Sequence, residues 1–214
     1  MASEEKHINK LLVEGPSDKH VVLALCQYYD VPENFDIIVC GGIDDLLRNL
    51  NLRLTHPELN QIIGVVVDAD NDIQKRFSQI ARIVQKHGGN IEDQSLESDG
   101  LIIPSDNTME TANFGLWLMP DNINIGMIED FALSLIPQKD DMLPEVENTL
   151  DRIEKLGINR YSEVHRSKAK IHTYLSWQED PGCPIGLSIT KNVLKPEGDI
   201  AKRFVQWLTQ LFSL

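Results

Sequence analysis

Residues 61–67 form an apolar run, Gln-Ile-Ile-Gly-Val-Val-Val, that ends in the acidic segment Asp-Ala-Asp-Asn-Asp. A strand with one face exposed to solvent would alternate apolar and polar side chains, whereas this run has apolar side chains on both faces. We therefore predict a central strand of a parallel sheet that is covered by helices on both sides. No other segment constrains the fold as strongly.

Two shorter apolar segments precede this run, and a helical segment follows each of the three. Residues 7–13 and 35–40 end at turn residues, Glu14-Gly15-Pro16 and Gly41-Gly42, as buried strands do. The predicted helices have apolar residues at helical spacing: Val21, Val22, Leu25 and Cys26, then Leu46, Leu47, Leu50 and Leu54, then Phe77, Ile80, Ile83 and Val84. This alternation predicts an α/β fold with a parallel sheet flanked by helices.

The rest of the chain predicts an edge hairpin and then helices. Residues 101–104 and 114–119 are strand candidates, and the polar stretch 105–113 between them indicates a long hairpin. A helix is predicted over 127–135, a linker over 137–144, and further helices over 146–156, 166–177 and 200–214. We therefore predict a core of residues 1–136 and a helical C-terminal extension, residues 137–214, packed on it. The apolar stripe of 200–214 predicts either core packing or a homodimer contact.

Composition limits the partners of this chain. The 33 acidic and 20 basic residues give a formal net charge of −13, which argues against a broad basic surface for nucleic acid unless bound cations supply positive charge. No apolar run approaches the ~20 residues of a membrane helix, and the N-terminus lacks a signal-peptide pattern. The three widely spaced cysteines indicate neither a disulfide framework nor a zinc site, so we expect a cytoplasmic protein.

Acidic side chains follow two of the predicted strands. Glu14 ends the first strand, and Asp68 and Asp70 end the central one. Because ligands bind at the carboxyl ends of parallel strands, we expect these carboxylates to converge and to hold a hard divalent cation, Mg²⁺ or Mn²⁺. Asp18 lies one helical turn after Glu14 and can point the same way. Asp72 is either a further ligand or only a helix cap, and Glu14 alone before its turn could be a solvated residue.

Two motifs together resemble a known domain. Val13-Glu14-Gly15-Pro16-Ser17-Asp18 and Val67-Asp68-Ala69-Asp70-Asn71-Asp72 resemble the Toprim domain of topoisomerases, bacterial primases, ribosomal-RNA maturases and OLD-family nucleases. The Glu-Gly-x-x-Asp form, with Gly126-Met127-Ile128-Glu129-Asp130-Phe131, is most similar to the OLD and maturase branches. With the segment around Trp117–Asn122, the pattern is similar to small stand-alone Toprim-like bacterial proteins. The resemblance covers about residues 9–135.

The resemblance implies metal-dependent phosphodiester chemistry. It implies that Asp68 and Asp70 are primary metal ligands. Glu14 would act as a general acid–base or as a ligand, and Asp18 and Glu129 would complete a two-metal site. Two cations about 4 Å apart stabilise the attacking and leaving oxygens of an in-line displacement. No tyrosine-bearing cleavage domain is evident in the sequence, which argues against a topoisomerase. No Walker A motif is evident either, so the ATPase of full-length OLD proteins could be a separate partner.

One basic segment stands out in this acidic chain. Arg166, Lys168, Lys170 and His172 lie at helical spacing and predict a face that contacts nucleic acid, unless they form only a solvated surface. OLD-type nucleases have a basic catalytic residue downstream of the Toprim core, and Lys170 is matched to it.

Three functions are consistent with these patterns. The first is a Mg²⁺- or Mn²⁺-dependent nuclease of the Toprim/OLD type that acts on DNA or RNA. The second is a non-catalytic Toprim-like binding or regulatory module. The third is a phosphoryl-transfer enzyme for small phosphorylated substrates, for which the net negative charge is no handicap.

Overall fold

The computed structural model describes residues 5–91, 96–105 and 112–213. Its sheet has five strands in the order β2-β1-β3-β5-β4. They are β1 (Lys10–Val13), β2 (Asp36–Val39), β3 (Ile62–Asp68), β4 (Leu101–Ile103) and β5 (Asn113–Met119). The pairs β1–β2, β1–β3 and β3–β5 are parallel, and β4 runs antiparallel to β5. The predicted α/β fold is confirmed; residues 106–111 of the predicted hairpin lie outside the described residues.

Helices cover both faces of this sheet. They are α1 (Pro16–Tyr28), α2 (Ile43–Thr55), α3 (Ile73–Lys86), α4 (Ile128–Ser134), α5 (Met142–Lys155), α6 (Arg166–Ser176), α7 (Ile185–Thr190) and α8 (Asp199–Leu211). A short 3₁₀ turn, Glu163–His165, leads into α6. One core cluster joins the sheet to α1 and α4–α8, and the other joins it to α2 and α3. Within the described residues, no helix combines the length and the apolarity that crossing a membrane requires.

The central strand β3 contributes to both core clusters. Val66 faces the first cluster, whereas Val65 and Val67 face the second, and all three are fully buried. This is the arrangement predicted from its apolar run, because each face of a doubly covered parallel strand needs an apolar partner.

Helix α8 packs on the sheet where two paired glycines leave space for its side chains. Gly64 of β3 pairs with Gly115 of β5, and a Cβ on Gly115 would come within 2.4 Å of the Leu211 side chain. The missing side chains therefore let Leu211 approach the sheet backbone. Nearby, Trp207 packs on Trp117 with ring centroids 5.8 Å apart. The apolar face of the last helix is thus used for core packing within the chain.

Two segments differ from the sequence-based expectation. Helix α5 begins at Met142, inside the predicted linker, because Pro144 occupies its first turn, where a backbone N–H is not needed. The Asp140 carboxylate accepts hydrogen bonds from the backbone N–H groups of Met142 and Leu143 and so caps this turn. Helix α7, with six residues, was not predicted, because it is too short to show a helical period.

Candidate functional site

The carboxyl ends of β1 and β3 bring two acidic residues together. Val13 pairs with Val66, so Glu14 leaves its strand beside the end of β3. The Glu14 Oε1 accepts a hydrogen bond from the Asp68 backbone N–H at 3.1 Å. The Asp68 Oδ1 in turn accepts one from the Ile128 N–H, at the start of α4, at 2.9 Å. Parallel pairing and the N-terminus of a helix therefore hold Glu14 and Asp68 in place.

Asp18 is buried with an unpartnered oxygen. Its Oδ2 accepts a hydrogen bond from the Gly15 N–H at 3.0 Å, which caps α1. Its other oxygen, Oδ1, is buried in a residue that is only 5% exposed, and it has no hydrogen-bond partner among the described residues. A buried carboxylate oxygen without a donor is costly, since native structures satisfy nearly all such atoms. Among the oxygens of this site, it is therefore the one most available to coordinate a cation.

Glu129 is the fourth acidic residue of the site. It lies in the first turn of α4 and is buried. Its Oε1 lies 3.0 Å from the Lys168 Nζ, and the side chains of Lys168 and Glu129 are 55% and 7% exposed. Lys168 thus reaches from the surface of α6 to a buried carboxylate. We call Glu14, Asp18, Asp68 and Glu129 the acidic cluster.

Members of the acidic cluster influence each other's ionisation. Burial raises the pKa of Asp68 well above its ordinary value, and the charges of Asp18, Glu14 and Glu129 raise it further. Burial also raises the pKa of Asp18 to about 6, against the hydrogen bond from Gly15. The pKa of Glu14 is raised by burial as well, and the Asp68 N–H partly offsets this. These carboxylates therefore lie close enough to repel one another, and each would gain from a shared positive charge.

Asp70 and Asp72 have partners outside the acidic cluster. The chain reverses direction after β3 at Asp70, whose φ is 52°, and its backbone pairs with Gly126 through two hydrogen bonds of 2.9 Å. The Asp70 carboxylate forms an ion pair with Arg76 of α3. Asp72 is the N-cap of α3, and its Oδ1 accepts from the Lys75 N–H at 2.9 Å. The structure therefore brings Glu14, Asp18, Asp68 and Glu129 together, whereas Asp70 and Asp72 have partners outside this group. The charge of Asp70 still helps to raise the pKa of Glu14.

Asp72→Ala should cost about 1 kcal/mol of the free energy of unfolding, because it removes this N-cap. Asp72→Asn should keep the stability within a few tenths of a kcal/mol, because asparagine caps helices as well as aspartate. Urea unfolding of both variants measures the difference. Equal destabilisation by both variants would contradict the capping role.

The basic residues of α6 have different environments. Arg166 bonds to Glu147, Asp151 and Glu154, and Lys170 bonds to Glu147, so both lie against α5. His172 is exposed. Lys168 and Lys170 point about 200° apart around the helix, which is why Lys168 reaches the acidic cluster and Lys170, the residue matched by resemblance, does not.

Sequence reasoning missed Arg76, and it did not explain the glycine of the late motif. Arg76 is nearly buried, and its Nε donates to the Asp68 carbonyl at 3.0 Å while its guanidinium pairs with Asp70. The sequence could have indicated this role, because Arg76 lies one helical turn after Asp72, the N-cap of α3. Gly126 has a φ of +143°, and a Cβ there would lie 2.7 Å from the Asp130 Oδ2. The positive φ of Gly126 therefore favours glycine, and the Asp130 carboxylate would have to shift to admit a Cβ.

Two open clefts flank the Asp70–Asn71 turn beside the acidic cluster. One, of about 370 Å³, is lined in part by Lys75 and Arg76. The other, of about 410 Å³, is lined in part by Ile125 and Val164. A ligand could therefore approach the turn from either side.

The donor atoms of the acidic cluster fit a hard divalent cation. Carboxylate oxygens are the preferred ligands of Mg²⁺ and Mn²⁺, and the Asp18 Oδ1 is an unpartnered buried oxygen. In residues 5–91, 96–105 and 112–213, however, no three histidine, cysteine or acidic side chains are already arranged to hold a metal ion. Glu14, Asp68 and Glu129 are each directed to a different donor, namely the Asp68 N–H, the Ile128 N–H and Lys168.

Comparison with known proteins gives a family and one distant structural neighbour. No curated protein matches the chain. A solved structure of the C-terminal region of the Xanthomonas campestris pv. campestris OLD protein is similar to 95% of this chain and 85% of that one, with 15% identity and a TM-score of 0.38. A likeness at that level carries no argument about function. The family model described as "Protein of unknown function (DUF3226)" matches residues 8–213, and the chain therefore belongs to this family.

Proposed function

We propose that the acidic cluster binds Mg²⁺ or Mn²⁺ and that the protein cleaves phosphodiester bonds in nucleic acid, as a Toprim/OLD-like nuclease. The observation that carries the proposal is the buried, unpartnered Asp18 Oδ1 among mutually repelling carboxylates. Two acids at the carboxyl ends of parallel strands and two more from the starts of α1 and α4 repel one another, which a bound cation would offset. Phosphodiester cleavage is the chemistry that such a site with a bound cation supports.

The chain's own residues would divide the work. Asp18, Asp68 and Glu129 would hold the cation, which when bound neutralises charge on a phosphate and polarises it. Glu14 is positioned by the Asp68 N–H and has a raised pKa, which makes it a stronger general base for an attacking water. Lys168 would contact a phosphate oxygen from the open side of the cluster. Asp70 would join only after leaving Arg76.

A specific observation also supports a second candidate, hydrolysis of small phosphorylated compounds. Arg166 and Lys170 are paired with acidic residues of α5, so they offer little charge to a long polyanion. With a formal net charge of −13, the protein would meet a short phosphorylated substrate with less repulsion than a duplex.

The test is a cleavage assay with and without metal. Single- and double-stranded DNA, RNA, bis-p-nitrophenyl phosphate and p-nitrophenyl phosphate are each incubated with the protein in Mg²⁺, Mn²⁺ or excess chelator. We expect cleavage of at least one nucleic acid with metal, no cleavage in chelator, and recovery when Mn²⁺ is restored.

Other outcomes separate the alternatives. Turnover restricted to the nitrophenyl compounds would support the small-substrate candidate and contradict the nuclease. Mn²⁺ binding by calorimetry without any turnover would indicate a non-catalytic module. Cleavage that persists in chelator, or no Mn²⁺ binding at all, would overturn the proposal.

A further inference from the structure

Lys168 forms an ion pair with one carboxylate of the acidic cluster, whereas Arg76 bonds to the Asp68 carbonyl and pairs with Asp70. Its ammonium lies 3.0 Å from the Glu129 Oε1, and Glu129 has little contact with water. The positive charge of Lys168 also lowers the pKa of Asp18, so its influence extends beyond Glu129. A buried carboxylate gains stability from a partner of opposite charge. Lys168 therefore serves as a counter-ion for a group that the fold has removed from water.

The helix that carries Lys168 is fixed, whereas the Lys168 side chain is not. Arg166 bonds to three carboxylates of α5, and the Ser167 hydroxyl donates to Asp130 of α4. Lys170 adds a further bond to α5. The Lys168 side chain, in contrast, is 55% exposed, and a lysine stem has four rotatable bonds. The ammonium can therefore leave Glu129 without any movement of the helix.

A divalent cation and this ammonium would use the same carboxylate. The cluster with all four carboxylates ionised has four negative charges, and Lys168 compensates one of them. A cation held by Asp18, Asp68 and Glu129 would compensate two, but it would repel an ammonium that is 3.0 Å from one of its ligands. This ion pair also explains why the Glu129 carboxylate is directed to Lys168, whereas Glu14 and Asp68 are directed to backbone N–H groups.

We infer that Lys168 competes with the divalent cation for Glu129, so that metal binding displaces its ammonium and Lys168 lowers the metal affinity of the cluster. This inference rests on the metal binding in the proposed function but not on cleavage. It makes Lys168 a residue that sets the metal concentration at which the site fills.

The test measures Mn²⁺ affinity, by calorimetry and by the electron paramagnetic resonance of free Mn²⁺. Lys168→Met removes the competing charge, whereas Lys168→Arg keeps a cation on Glu129. Lys202→Met, at an exposed position of α8, removes an equal charge elsewhere. We expect Lys168→Met to bind Mn²⁺ roughly tenfold more tightly than the wild type, which corresponds to about 1.4 kcal/mol. The two other variants should stay within about twofold.

The outcomes distinguish this inference from the proposed function. If the wild type binds Mn²⁺ and Lys168→Met binds it equally or less tightly, the inference is overturned and the proposed function stands. Tighter binding by Lys168→Met in a protein that cleaves nothing would support the inference and contradict the nuclease. No Mn²⁺ binding by any variant would overturn both. Thermal melting checks that each variant is folded, which we expect because the Lys168 side chain is half exposed.

Discussion

Replacing Asp68 by asparagine should reduce metal-dependent cleavage by about 100-fold or more and weaken Mn²⁺ binding at least tenfold. Asparagine has nearly the same shape and can still accept the hydrogen bond from the Ile128 N–H, so the start of α4 stays in place. The change removes a negative charge from the middle of the acidic cluster. Since loss of groups that merely support a metal ligand costs 10–100-fold in affinity or activity, the loss of a ligand should cost at least as much.

Two further measurements make this result specific. Asp72→Asn removes one negative charge from the same loop and keeps the cap of α3, so cleavage and Mn²⁺ affinity should remain within about twofold of the wild type. Asp68→Asn should also melt no lower than the metal-free wild type, because it relieves repulsion between buried carboxylates. Wild-type cleavage by Asp68→Asn, or an equal loss in Asp72→Asn, would contradict the site.

Replacing Asp18 by asparagine should stabilise the metal-free protein near pH 7 by about 1–3 kcal/mol. The structural reason is that folding buries the Asp18 carboxylate and raises its pKa to about 6. An asparagine can keep the bond from the Gly15 N–H and has no charge to bury. Its amide N–H groups could also donate toward the neighbouring carboxylates. A stability gain from such a substitution is typical of residues retained for function.

The pH dependence of this gain has a definite sign. The Asp18 carboxyl has a pKa of about 6 in the folded protein, whereas in the unfolded chain its pKa is close to the ordinary value of 3.8. The folded state therefore binds more protons between pH 4 and 6, so this residue makes stability fall as pH rises through that window. Below about pH 4 both states are protonated, and the stability difference between Asp18→Asn and the wild type should shrink toward zero.

Urea unfolding in chelator at pH values from 4 to 8 measures this difference. Asp130→Asn is the matched control, because Asp130 occupies the same position of α4 and caps the Met127 N–H, yet is more exposed. It should give no gain in stability. Added Mg²⁺ should raise the melting temperature of the wild type more than that of Asp18→Asn. A destabilised Asp18→Asn variant at pH 7 would show that the charge is already compensated without metal.

The sequence predicted a doubly covered central strand and the meeting of Glu14 with Asp68 at the carboxyl ends of two strands. Both depend on local patterns, because an apolar run followed by a helix specifies a parallel strand, and the carboxyl ends of neighbouring parallel strands meet. Glu129 was placed at the site only through a resemblance. Its position follows from the start of α4, which is joined to Asp68 by the Ile128 N–H.

The sequence did not predict the direction of Asp70 or the partner of Lys168. Alternation after β3 suggested that Asp68 and Asp70 point the same way, but the strand ends at Asp68 and the backbone turns at Asp70. Helical spacing predicted two adjacent basic rows, Arg166 with Lys170 and Lys168 with His172, and did not separate the roles of the two lysines. Which face meets the acidic cluster depends on the packing of α6 against α4 and α5, and that information is not local.

The amino-acid sequence by itself determined the doubly covered central strand, the helices around it and the placement of acids at strand ends, because hydrophobic periodicity and turn residues act over a few positions. Only the tertiary structure decided which carboxylates share a buried pocket, which one keeps an unpartnered oxygen and which lysine neutralises them. Those properties depend on burial and on charge–charge distances between segments far apart in the chain, and both are set when the helices pack on the sheet.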